Sequence, residues 1–291
     1  MTLYAVCNPT AGNGRAGRVA REIENRLREK NISCAFLYTE KPGQGASLAA
    51  KAREMGAETV LSIGGDGTAL EVAQGLAGSQ TALGVIPAGT GNDFAKALGS
   101  PRKPLDALEF ILTHPALPTD AGEVNGRMFL NEIGTGFDVS VLDYAAKAKK
   151  YCRGLLPYLY GVVRTLFRFR AVPITYSVEG AAPVTVEAFV AAVGNGGVIG
   201  GGIPIAPKAR PDDGLLDVVI VGKIPPRLLA PRLLGLMRGK VLSFPETRYV
   251  RAATVSFSAP GMRLNVDGEI WNEAGAQARV LPGRLLVHRA G

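Results

Sequence analysis

Apolar residues in the first hundred positions form short runs that alternate with segments of helical periodicity. The runs LYAVCN, CAFLYT, TVLSI and LGVIP predict strands, because each is short, apolar and bounded by turn residues. Val19, Ile23 and Leu27 recur every four residues and predict a helix over residues 15–30. Further helices are predicted over residues 46–55, 68–76 and 92–98. This alternation is typical of an α/β domain with a doubly wound, Rossmann-like parallel sheet, whose ligands bind beyond the carboxyl ends of the strands.

The pattern changes after about residue 120, where strand-like segments follow one another with turn residues between them. Helical periodicity returns only over residues 139–149 and 155–169. We therefore predict a second domain with a mostly antiparallel β-sandwich, covering residues 123–279. The first domain covers residues 1–122, and residues 280–291 can return to it. A cleft between the domains is the expected place for chemistry. The strand-like segments are RMFLNEIG, PITYSV, VTVEAFVAAVG, LLDVVIV, TRYVRAATVSFSA, MRLNVDGE and ARVLPGRLLVHR.

Length and composition agree with a two-domain globular protein. The chain has 291 residues, more than a usual single domain, and 47% of them are hydrophobic. No run approaches the roughly 18 apolar residues of a membrane-spanning helix. The chain begins directly with LYAVCNPT and shows no secretion signal, so we expect an unexported, cytoplasmic protein. Cys7, Cys34 and Cys152 lack metal or redox spacing and are interpreted as buried apolar side chains.

Glycine-rich segments stand where three predicted strands end and helices begin. They are NPTAGNG from Asn8, GGDGT from Gly64 and PAGTGND from Pro87. At such positions backbone amides point outward and the helix dipole favours an anion. A single glycine turn can be purely structural, but three at one sheet edge favour phosphate binding. None of them matches the P-loop or the dinucleotide fingerprint.

Two carboxylates make this interpretation more specific. Asp66 and Asp93 lie inside the predicted phosphate-binding turns, where an unpartnered acid would repel an anion. A divalent metal resolves that conflict, and Mg²⁺ binds one or two carboxylates together with phosphate oxygens. Thr68 and Thr90 can cap the helices that follow them or donate hydroxyls to phosphate, and the two roles are compatible.

The five segments NPTAGNG, GGDGT, PAGTGNDFA, DDGLLDV and NVDGE follow one another over nearly the whole chain. In this order they resemble the bacterial diacylglycerol kinases and related lipid kinases. GGDGT also occurs in NAD kinases and phosphofructokinases, whereas GTGNDFA with DDGLLD and VDGE is much more specific to lipid kinases. The resemblance implies ATP bound by the first domain and a lipid hydroxyl presented from the cleft.

The resemblance also implies nucleotide-binding residues. Carried over position by position, they lie in the three glycine-rich segments and after the second strand. They are Asn8, Pro9, Thr10, Ala11, Gly12, Thr39, Gly65, Asp66, Gly67, Thr68, Ala69, Leu70, Glu71, Thr90 and Asp93.

The same resemblance implies the metal ligands and the base. Asp66, Asp93 and Glu269 would organise the ATP-bound Mg²⁺, and Asp120 would join them through water. An alcohol nucleophile needs a group that accepts its proton. That role falls on the DGE triplet, where Asp267 or Glu269 can fill it. Asp267 is the favoured base and Glu269 the favoured metal partner.

Other polar residues have less specific roles. The resemblance implies a structural Mg²⁺ bound by the Asp213 carboxylate and the carbonyls of Arg210 and Leu215. PDDG is also a good turn sequence without a metal. His114 lies in a predicted loop and His288 in the final strand, so both are interpreted as surface or structural residues.

Positive charge is concentrated in two spans without acidic residues. Residues 144–178 carry seven Lys and Arg, and residues 218–245 carry five. Aromatic residues are interspersed in the first span, as in amphipathic segments at membrane interfaces, although a solvated helix face would look similar. We expect peripheral contact with an anionic membrane surface and, without a nucleic-acid motif, no nucleic-acid partner. The sequence leaves the oligomeric state open, including a homodimer.

Together these features predict an ATP- and Mg²⁺-dependent lipid kinase, with diacylglycerol as the favoured acceptor. Sphingoid bases, phosphatidylglycerol and polyprenols stay open, because apolar pockets encode chain shape poorly. The alternatives are a kinase of NAD or another small molecule, and a catalytically inactive nucleotide- or lipid-binding regulator.

Overall fold

A computed structural model describes residues 2–148, 151, 156–168 and 170–291 of the chain. These residues divide into two compact units. Unit 1 comprises Met1–Ala121 and Pro282–Gly291, and unit 2 comprises Gly122–Leu281. The boundaries predicted from the sequence, 122/123 and 279/280, differ from these by one and two residues.

Unit 1 is built from alternating strands and helices. Strands β1, β2, β3 and β4 pair in the order β2-β1-β3-β4, and the end of the last strand of the chain pairs with β4. All of these pairings are parallel. The elements are β1 (Leu3–Cys7), α1 (Ala11–Glu29), β2 (Cys34–Tyr38), α2 (Gln44–Glu54), β3 (Thr59–Gly64), α3 (Asp66–Leu76), β4 (Ala82–Pro87), α4 (Asp93–Ala97), α5 (Pro104–Thr113) and β5 (Ala116–Val124), whose end belongs to unit 2.

The periodic apolar residues of α1 explain how this sheet is covered. Val19, Ile23 and Leu27 are buried in one cluster with Leu61 of β3 and Ile86 of β4. The central strands β3 and β4 are buried along their whole length, as expected for a parallel sheet with helices on both faces. The predicted parallel sheet is therefore confirmed.

Unit 2 consists mainly of antiparallel strands. They pair in the order β14-β13-β7-β9-β8-β12-β15, and β10 pairs with both β9 and β11. The elements are β6 (Arg127–Phe129), β7 (Glu132–Gly136), α6 (Phe137–Ala148), α7 (Leu156–Arg168), β8 (Val172–Val178), β9 (Val184–Gly194), β10 (Leu216–Gly222), α8 (Leu229–Met237), β11 (Thr247–Ala252), β12 (Thr254–Ser258), β13 (Arg263–Val266), β14 (Glu269–Asn272) and β15 (Ala276–His288), whose end belongs to unit 1.

Strands β9 and β10 are buried on both faces. Val193 and Val218 pack in one apolar cluster with Leu264, whereas Val219 and Val221, on the opposite face of β10, pack in a second cluster. This alternation follows the two-residue period of a strand. The predicted antiparallel β-sandwich is confirmed.

Two helices were not predicted from the sequence. Helix α5 begins with Pro104, whose missing N–H leaves no unsatisfied donor at a helix start, and α8 follows Pro225 and Pro226. Residues 149, 155 and 169, at the ends of the predicted helices of unit 2, lie outside the described residues. Among the helices that are described, none has the length and apolar character needed to cross a bilayer.

Candidate active site

The three glycine-rich segments meet at one edge of the unit 1 sheet. They follow β1, β3 and β4, which are neighbours in the sheet and run parallel, so their carboxyl ends share that edge. The first and third segments come very close: a Cβ built on Gly12 would lie 2.4 Å from the carbonyl oxygen of Ala88. Gly12, Asn13 and Gly14 have φ values of 59°, 58° and 82°, so the regular part of α1 starts after them.

The second and third segments also touch through their backbones. A Cβ built on Gly89 would lie 2.4 Å from the Cα of Gly65. The amide of Ala88 donates to the carbonyl of Gly64 at 2.8 Å, which continues the β3–β4 ladder into the turns. Thr68 packs over Gly64, where a Cβ would lie 2.3 Å from the Thr68 Oγ1. Glycine is therefore required by close approach at these turns.

Asparagine side chains fix the local shape of two segments. The Oδ1 of Asn8 accepts from the Thr10 amide at 3.2 Å and from the Thr10 hydroxyl at 2.8 Å. Asn92 has a φ of 53°, and its side chain both accepts from the Gly89 amide at 2.8 Å and donates to the Gly89 carbonyl at 3.0 Å. Such local bonds hold turns in one conformation.

Asp66 joins the second segment to the third. Its Oδ1 accepts from the amide of Phe94 in the first turn of α4 at 3.0 Å. Burial raises the pKa of Asp66, and the nearby Asp93 raises it further, while the Phe94 amide opposes the rise. A partly buried carboxylate next to a second one favours a bound cation.

The second carboxylate lies on the same side. Asp93 Oδ1 pairs with the Nζ of Lys96 at 2.9 Å. A Cβ built on Gly91 would lie 2.9 Å from the Asp66 Oδ2 and 3.5 Å from the Asp93 Oδ2, so both oxygens face the space beside this glycine. Two hard oxygen ligands beside a phosphate-type turn fit Mg²⁺ bound together with nucleotide phosphates.

Within the described part of the chain, no group of three or more His, Cys, Asp and Glu side chains could hold a metal ion. A metal at Asp66 and Asp93 would therefore complete its shell with phosphate oxygens and water. The carboxylate of Asp120, which was predicted to contact this metal through water, accepts from the amide of Gly283 at 2.7 Å.

The remaining predicted nucleotide residues have varied environments. Glu71 accepts from the amides of Gly43 and Gly45 at 2.9 and 2.8 Å, and so caps the start of α2. The Thr39 amide donates to the carbonyl of Cys7 at 2.9 Å, which places it at the end of β2. Thr90 is exposed on the third segment. The accessible members of the set are therefore concentrated in the three glycine-rich segments.

The DGE triplet forms the turn between β13 and β14 in unit 2. Asp267 has a φ of 46°, and its carboxylate accepts from the amides of Leu130, Asn131 and Glu132 at 2.7, 2.9 and 2.9 Å. Glu269 is exposed at the start of β14. The two acids therefore have different environments. Asp267 links the turn to residues 130–132 by hydrogen bonds, whereas Glu269 faces solvent.

A buried polar group under this turn was missed by the sequence analysis. The Nδ2 of Asn265 donates to Glu132 Oε1 and to Asp138 Oδ2, both at 3.2 Å, while its Oδ1 accepts from the Gly268 amide at 2.9 Å. Burial raises the pKa of Asp138 to about 6, although the Val139 amide and the Asn265 side chain oppose the rise. Polar residues within the strand-like segments FLNEIG and RLNVDG were the available signal.

The predicted structural metal site contains an ion pair. One oxygen of Asp213 accepts from the amide of Leu215 at 3.1 Å, and the other pairs with the guanidinium of Arg251. The side chain of Arg210 contacts Asp212 at 3.2 Å. The guanidinium of Arg251 also lies 3.8 Å from the carboxylate of the buried Asp217, so Arg251 forms ion pairs with two carboxylates.

His288 is buried in unit 1, where its ring joins β15 to β3 and to the end of α5. Its Nδ1 donates to the carbonyl of His114 at 2.8 Å, and its Nε2 lies 3.2 Å from the Thr59 hydroxyl. Burial lowers the pKa of His288. These contacts indicate a structural histidine.

A parallel sheet with converging glycine turns and a carboxylate pair at its edge defines a nucleotide-dependent phosphotransferase. Residues 2–124 match the family model of the diacylglycerol kinase catalytic domain, and residues 131–289 match that of the YegS C-terminal NAD kinase beta sandwich-like domain. The chain therefore belongs to the diacylglycerol kinase and YegS-like lipid kinase family. It is a lipid kinase.

Curated relatives agree with this assignment. The chain is 30% identical to a diacylglycerol kinase of Mycobacterium tuberculosis, with 98% of this chain and 94% of the relative covered. It is 36% identical to a protein of Pseudomonas aeruginosa named "Probable lipid kinase YegS-like", with 90% of this chain and 86% of the relative covered. The lipid kinase resemblance predicted from the motifs is confirmed.

Solved structures show the same architecture. A crystal structure of a Bacillus anthracis protein assigned as a diacylglycerol kinase superposes with a TM-score of 0.82 at 25% identity, covering 99% of this chain and 97% of that one. Yeast NADH kinase complexed with NADH gives a TM-score of 0.50 at 12% identity, covering 99% of this chain and 82% of that one. The latter likeness concerns the fold alone.

Proposed function

We propose that this kinase transfers the γ-phosphate of ATP to a hydroxyl of a membrane lipid, with diacylglycerol as acceptor and phosphatidic acid as product. One observation carries the proposal: three glycine-rich turns converge around Asp66 and Asp93 at one sheet edge. Relatives that carry the name diacylglycerol kinase support the choice of acceptor.

The turns of unit 1 would bind the triphosphate. Gly12, Gly65 and Gly89 let the backbone segments approach each other closely, so a phosphate at this edge meets amides rather than side chains. Thr90 is exposed on the third of these turns and can donate its hydroxyl to phosphate, whereas the Thr10 hydroxyl already donates to the Asn8 Oδ1. Phosphoryl transfer depends mainly on such positioning and on charge stabilisation.

Mg²⁺ fits the carboxylate pair, and Asp66 and Asp93 would hold it. When bound, the ion would offset the negative charge that the phosphates and the carboxylates bring together. Lys96 already balances part of the Asp93 charge through its ion pair at 2.9 Å. The participation of Asp120 in this metal site stays a prediction, whereas Glu269, also expected there from the sequence, is proposed below as the base instead.

Unit 2 would supply the base that accepts the proton of the lipid hydroxyl. Asp267 is the base favoured from the sequence, but three backbone amides already donate to its carboxylate, and protonation would weaken those bonds. Glu269 is exposed two residues later. We therefore assign the base to Glu269 and give Asp267 a positioning role in the turn.

The basic spans of unit 2 support peripheral contact with an anionic membrane surface. A kinase that acts on a bilayer lipid must reach the headgroup region, and each Lys or Arg near an anionic leaflet contributes about 1 kcal/mol. The spans of residues 144–178 and 218–245 contain no acidic residue.

The proposal is tested with labelled ATP and a panel of acceptors in mixed micelles. The panel contains diacylglycerol, a sphingoid base, phosphatidylglycerol and a polyprenol, with NAD as the discriminating control. We expect label in phosphatidic acid, and no label in any product when the Asp66→Asn variant replaces the wild type. Label in NADP without lipid product would instead support a small-molecule kinase, and no transfer to any acceptor would support an inactive regulator.

A further inference from the structure

Helix α7 of unit 2 has a buried face and, opposite to it, an exposed apolar face. With 100° between successive residues, Gly161, Val162 and Thr165 define one face, and all three are buried. A Cβ built on Gly161 would lie 2.3 Å from the carbonyl oxygen of Val141, so α6 packs directly against this face. The helix is therefore already anchored to the unit through one side.

The opposite face is apolar but exposed. Leu156, Leu159, Tyr160 and Val163 are spaced i, i+3, i+4 and i+7 and point away from the buried face. Their exposed fractions are 61%, 57%, 46% and 45%. An apolar stripe of this spacing normally covers a core, and here it faces solvent.

Exposed apolar side chains are concentrated at this place. Among the described residues, twelve large hydrophobic side chains are exposed, and five of them lie between Tyr151 and Val163. Tyr151, which precedes α7, is 90% exposed. Scattered exposed apolar residues need no explanation, but a cluster indicates a binding surface.

The charges around the stripe indicate what binds there. Exposed cations occur at the end of α6 (Lys147), at the end of α7 (Arg168) and just after it (Arg170), and no acidic residue occurs from residue 144 to residue 178. The nearest preceding acid, Asp143, is paired with the guanidinium of Arg263. The segment that carries the stripe is therefore rich in cations whose charge is not balanced by acids of the same segment.

Lys147 and Arg164 also lie close to one aromatic ring. The Lys147 Nζ lies 5.5 Å and the Arg164 Cζ lies 5.9 Å from the centre of the Tyr144 ring. An aromatic ring close to cationic groups, in a segment that also carries an apolar stripe, is typical of segments that lie in the headgroup region of a bilayer.

We propose that the outward face of α7, formed by Leu156, Leu159, Tyr160 and Val163, inserts into the surface of an anionic phospholipid bilayer. With 13 residues the helix is about 20 Å long, too short to span a bilayer but suited to lie in its interface. A second copy of the chain fits less well, because the cations of its own segment would repel those of the first. The inference rests on the proposed lipid kinase function and names the surface by which the enzyme reaches its substrate.

Vesicle binding tests this surface without using catalysis. The full chain is sedimented with vesicles of phosphatidylcholine alone or with phosphatidylglycerol added. We expect binding only to the anionic vesicles, and about a tenfold loss of affinity in the double variant Leu159→Ser, Val163→Ser. The matched control is Met55→Ser, Leu105→Ser, which removes two exposed apolar side chains of unit 1 and should bind like the wild type. Equal binding of both double variants would overturn the proposal.

A fluorescent reporter locates the contact. Trp271 is the single tryptophan of the chain, so a Trp271→Phe background makes Leu159→Trp the only emitter. We expect its emission to shift to the blue on anionic vesicles and to be quenched by brominated acyl chains, whereas Met55→Trp in the same background should not respond. If the protein still sediments with vesicles but the emission of the tryptophan at position 159 does not change, insertion at α7 is contradicted. A reporter that responds to protein concentration alone would indicate a second copy and also overturn the proposal.

The two proposals fail separately. A water-soluble, short-chain diacylglycerol needs no membrane contact, so the Leu159→Ser, Val163→Ser variant should phosphorylate it at the wild-type rate while losing activity on anionic vesicles. If no acceptor is phosphorylated although the reporter inserts, the proposed kinase activity is refuted and the proposed membrane contact of α7 is supported. If the variant keeps full activity on vesicles, the proposed membrane contact of α7 is refuted and the proposed kinase activity is supported.

Discussion

The backbones of Gly65 and Gly89 touch at the sheet edge of unit 1, where a Cβ on Gly89 would lie 2.4 Å from the Gly65 Cα. This contact joins the turn after β3 to the turn after β4. The same two turns carry Asp66 and Asp93, so the distance between the carboxylates depends on how closely the glycines approach. Two residues that contribute no side chain thus determine the geometry of the predicted metal ligands.

We therefore expect Gly89→Ala to separate the two turns. The added methyl group has no space beside Gly65, so the variant should lose about 1–3 kcal/mol of stability and bind ATP at least about tenfold more weakly. Thermal unfolding and nucleotide titration measure both effects. Gly67→Ala is the control for stability, because a Cβ there meets no atom within 4 Å and alanine favours a helix, so the melting temperature should be unchanged or higher. Equal melting of the two variants would refute the steric argument.

Asp66→Asn should abolish phosphoryl transfer without harming the fold. Burial raises the pKa of Asp66, so its ionised form lowers stability as pH rises through that pKa, and a neutral side chain of the same size removes the effect. We expect turnover to fall by about 100-fold or more while the melting temperature at pH 7 is unchanged or higher. Asp106→Asn, on the exposed first turn of α5, is the control and should keep normal turnover. Normal turnover of Asp66→Asn at saturating Mg²⁺ would exclude the metal-ligand role.

The sequence predicted the parts of this site that depend on local pattern. Strand runs followed by glycine and then by helical periodicity located the three turns, and a parallel sheet necessarily places such turns at one edge. The fit of Gly65 against Gly89 could not be predicted, because it depends on how two strands pack side by side. Helix α5 was also not predicted. It begins with a proline and a charged first turn, whereas the predicted helices of the site follow glycine-rich turns.

Contacts between segments that are distant in the sequence could not be predicted either. Asp267 bonds to amides 135–137 residues earlier in the chain, and Asn265 reaches Glu132 and Asp138 over similar separations. A motif comparison identifies DGE as functional but does not distinguish an acid that fastens a turn from one that faces solvent. That distinction requires the strand register of unit 2.

The stability of unit 2 should depend on the protonation of Asp138. Burial raises its pKa from 3.8 to about 6, so the contribution of the neutral form is complete below pH 3.8 and is lost as pH rises through 6. Asp138→Asn should therefore have a higher free energy of unfolding than the wild type at pH 8, by at most about 3 kcal/mol, and a higher melting temperature. The difference should be smaller at pH 5. Asp143→Asn on the same helix is the control: it breaks the ion pair with Arg263 and should not raise the melting temperature. A constant difference between pH 5 and pH 8 would contradict the assignment to Asp138.

Asp213→Ala should lower thermal stability and activity together if a structural metal binds at this position. A metal that binds only the folded state stabilises it, so a chelator should lower the melting temperature of the wild type but not that of the variant. Arg251→Gln separates this from the ion pair, because Arg251 contacts the same carboxylate. If chelation has no effect and Arg251→Gln destabilises as much as Asp213→Ala, the ion pair alone accounts for the role of Asp213.

The last prediction separates the two acids of the DGE turn. Glu269→Gln removes an exposed carboxylate without disturbing a described backbone contact, so we expect lipid phosphorylation to fall by about 100-fold or more with normal ATP affinity and melting temperature. Asp267→Asn presents one acceptor oxygen to three amides, so it should lower the melting temperature as well as the activity. The pH profile adds an independent measurement, because a carboxylate base gives an acidic limb that should disappear in Glu269→Gln and persist in Asp267→Asn. If Asp267→Asn instead melts normally and loses the acidic limb while Glu269→Gln mainly weakens Mg-ATP binding, Asp267 is the base and Glu269 the metal partner.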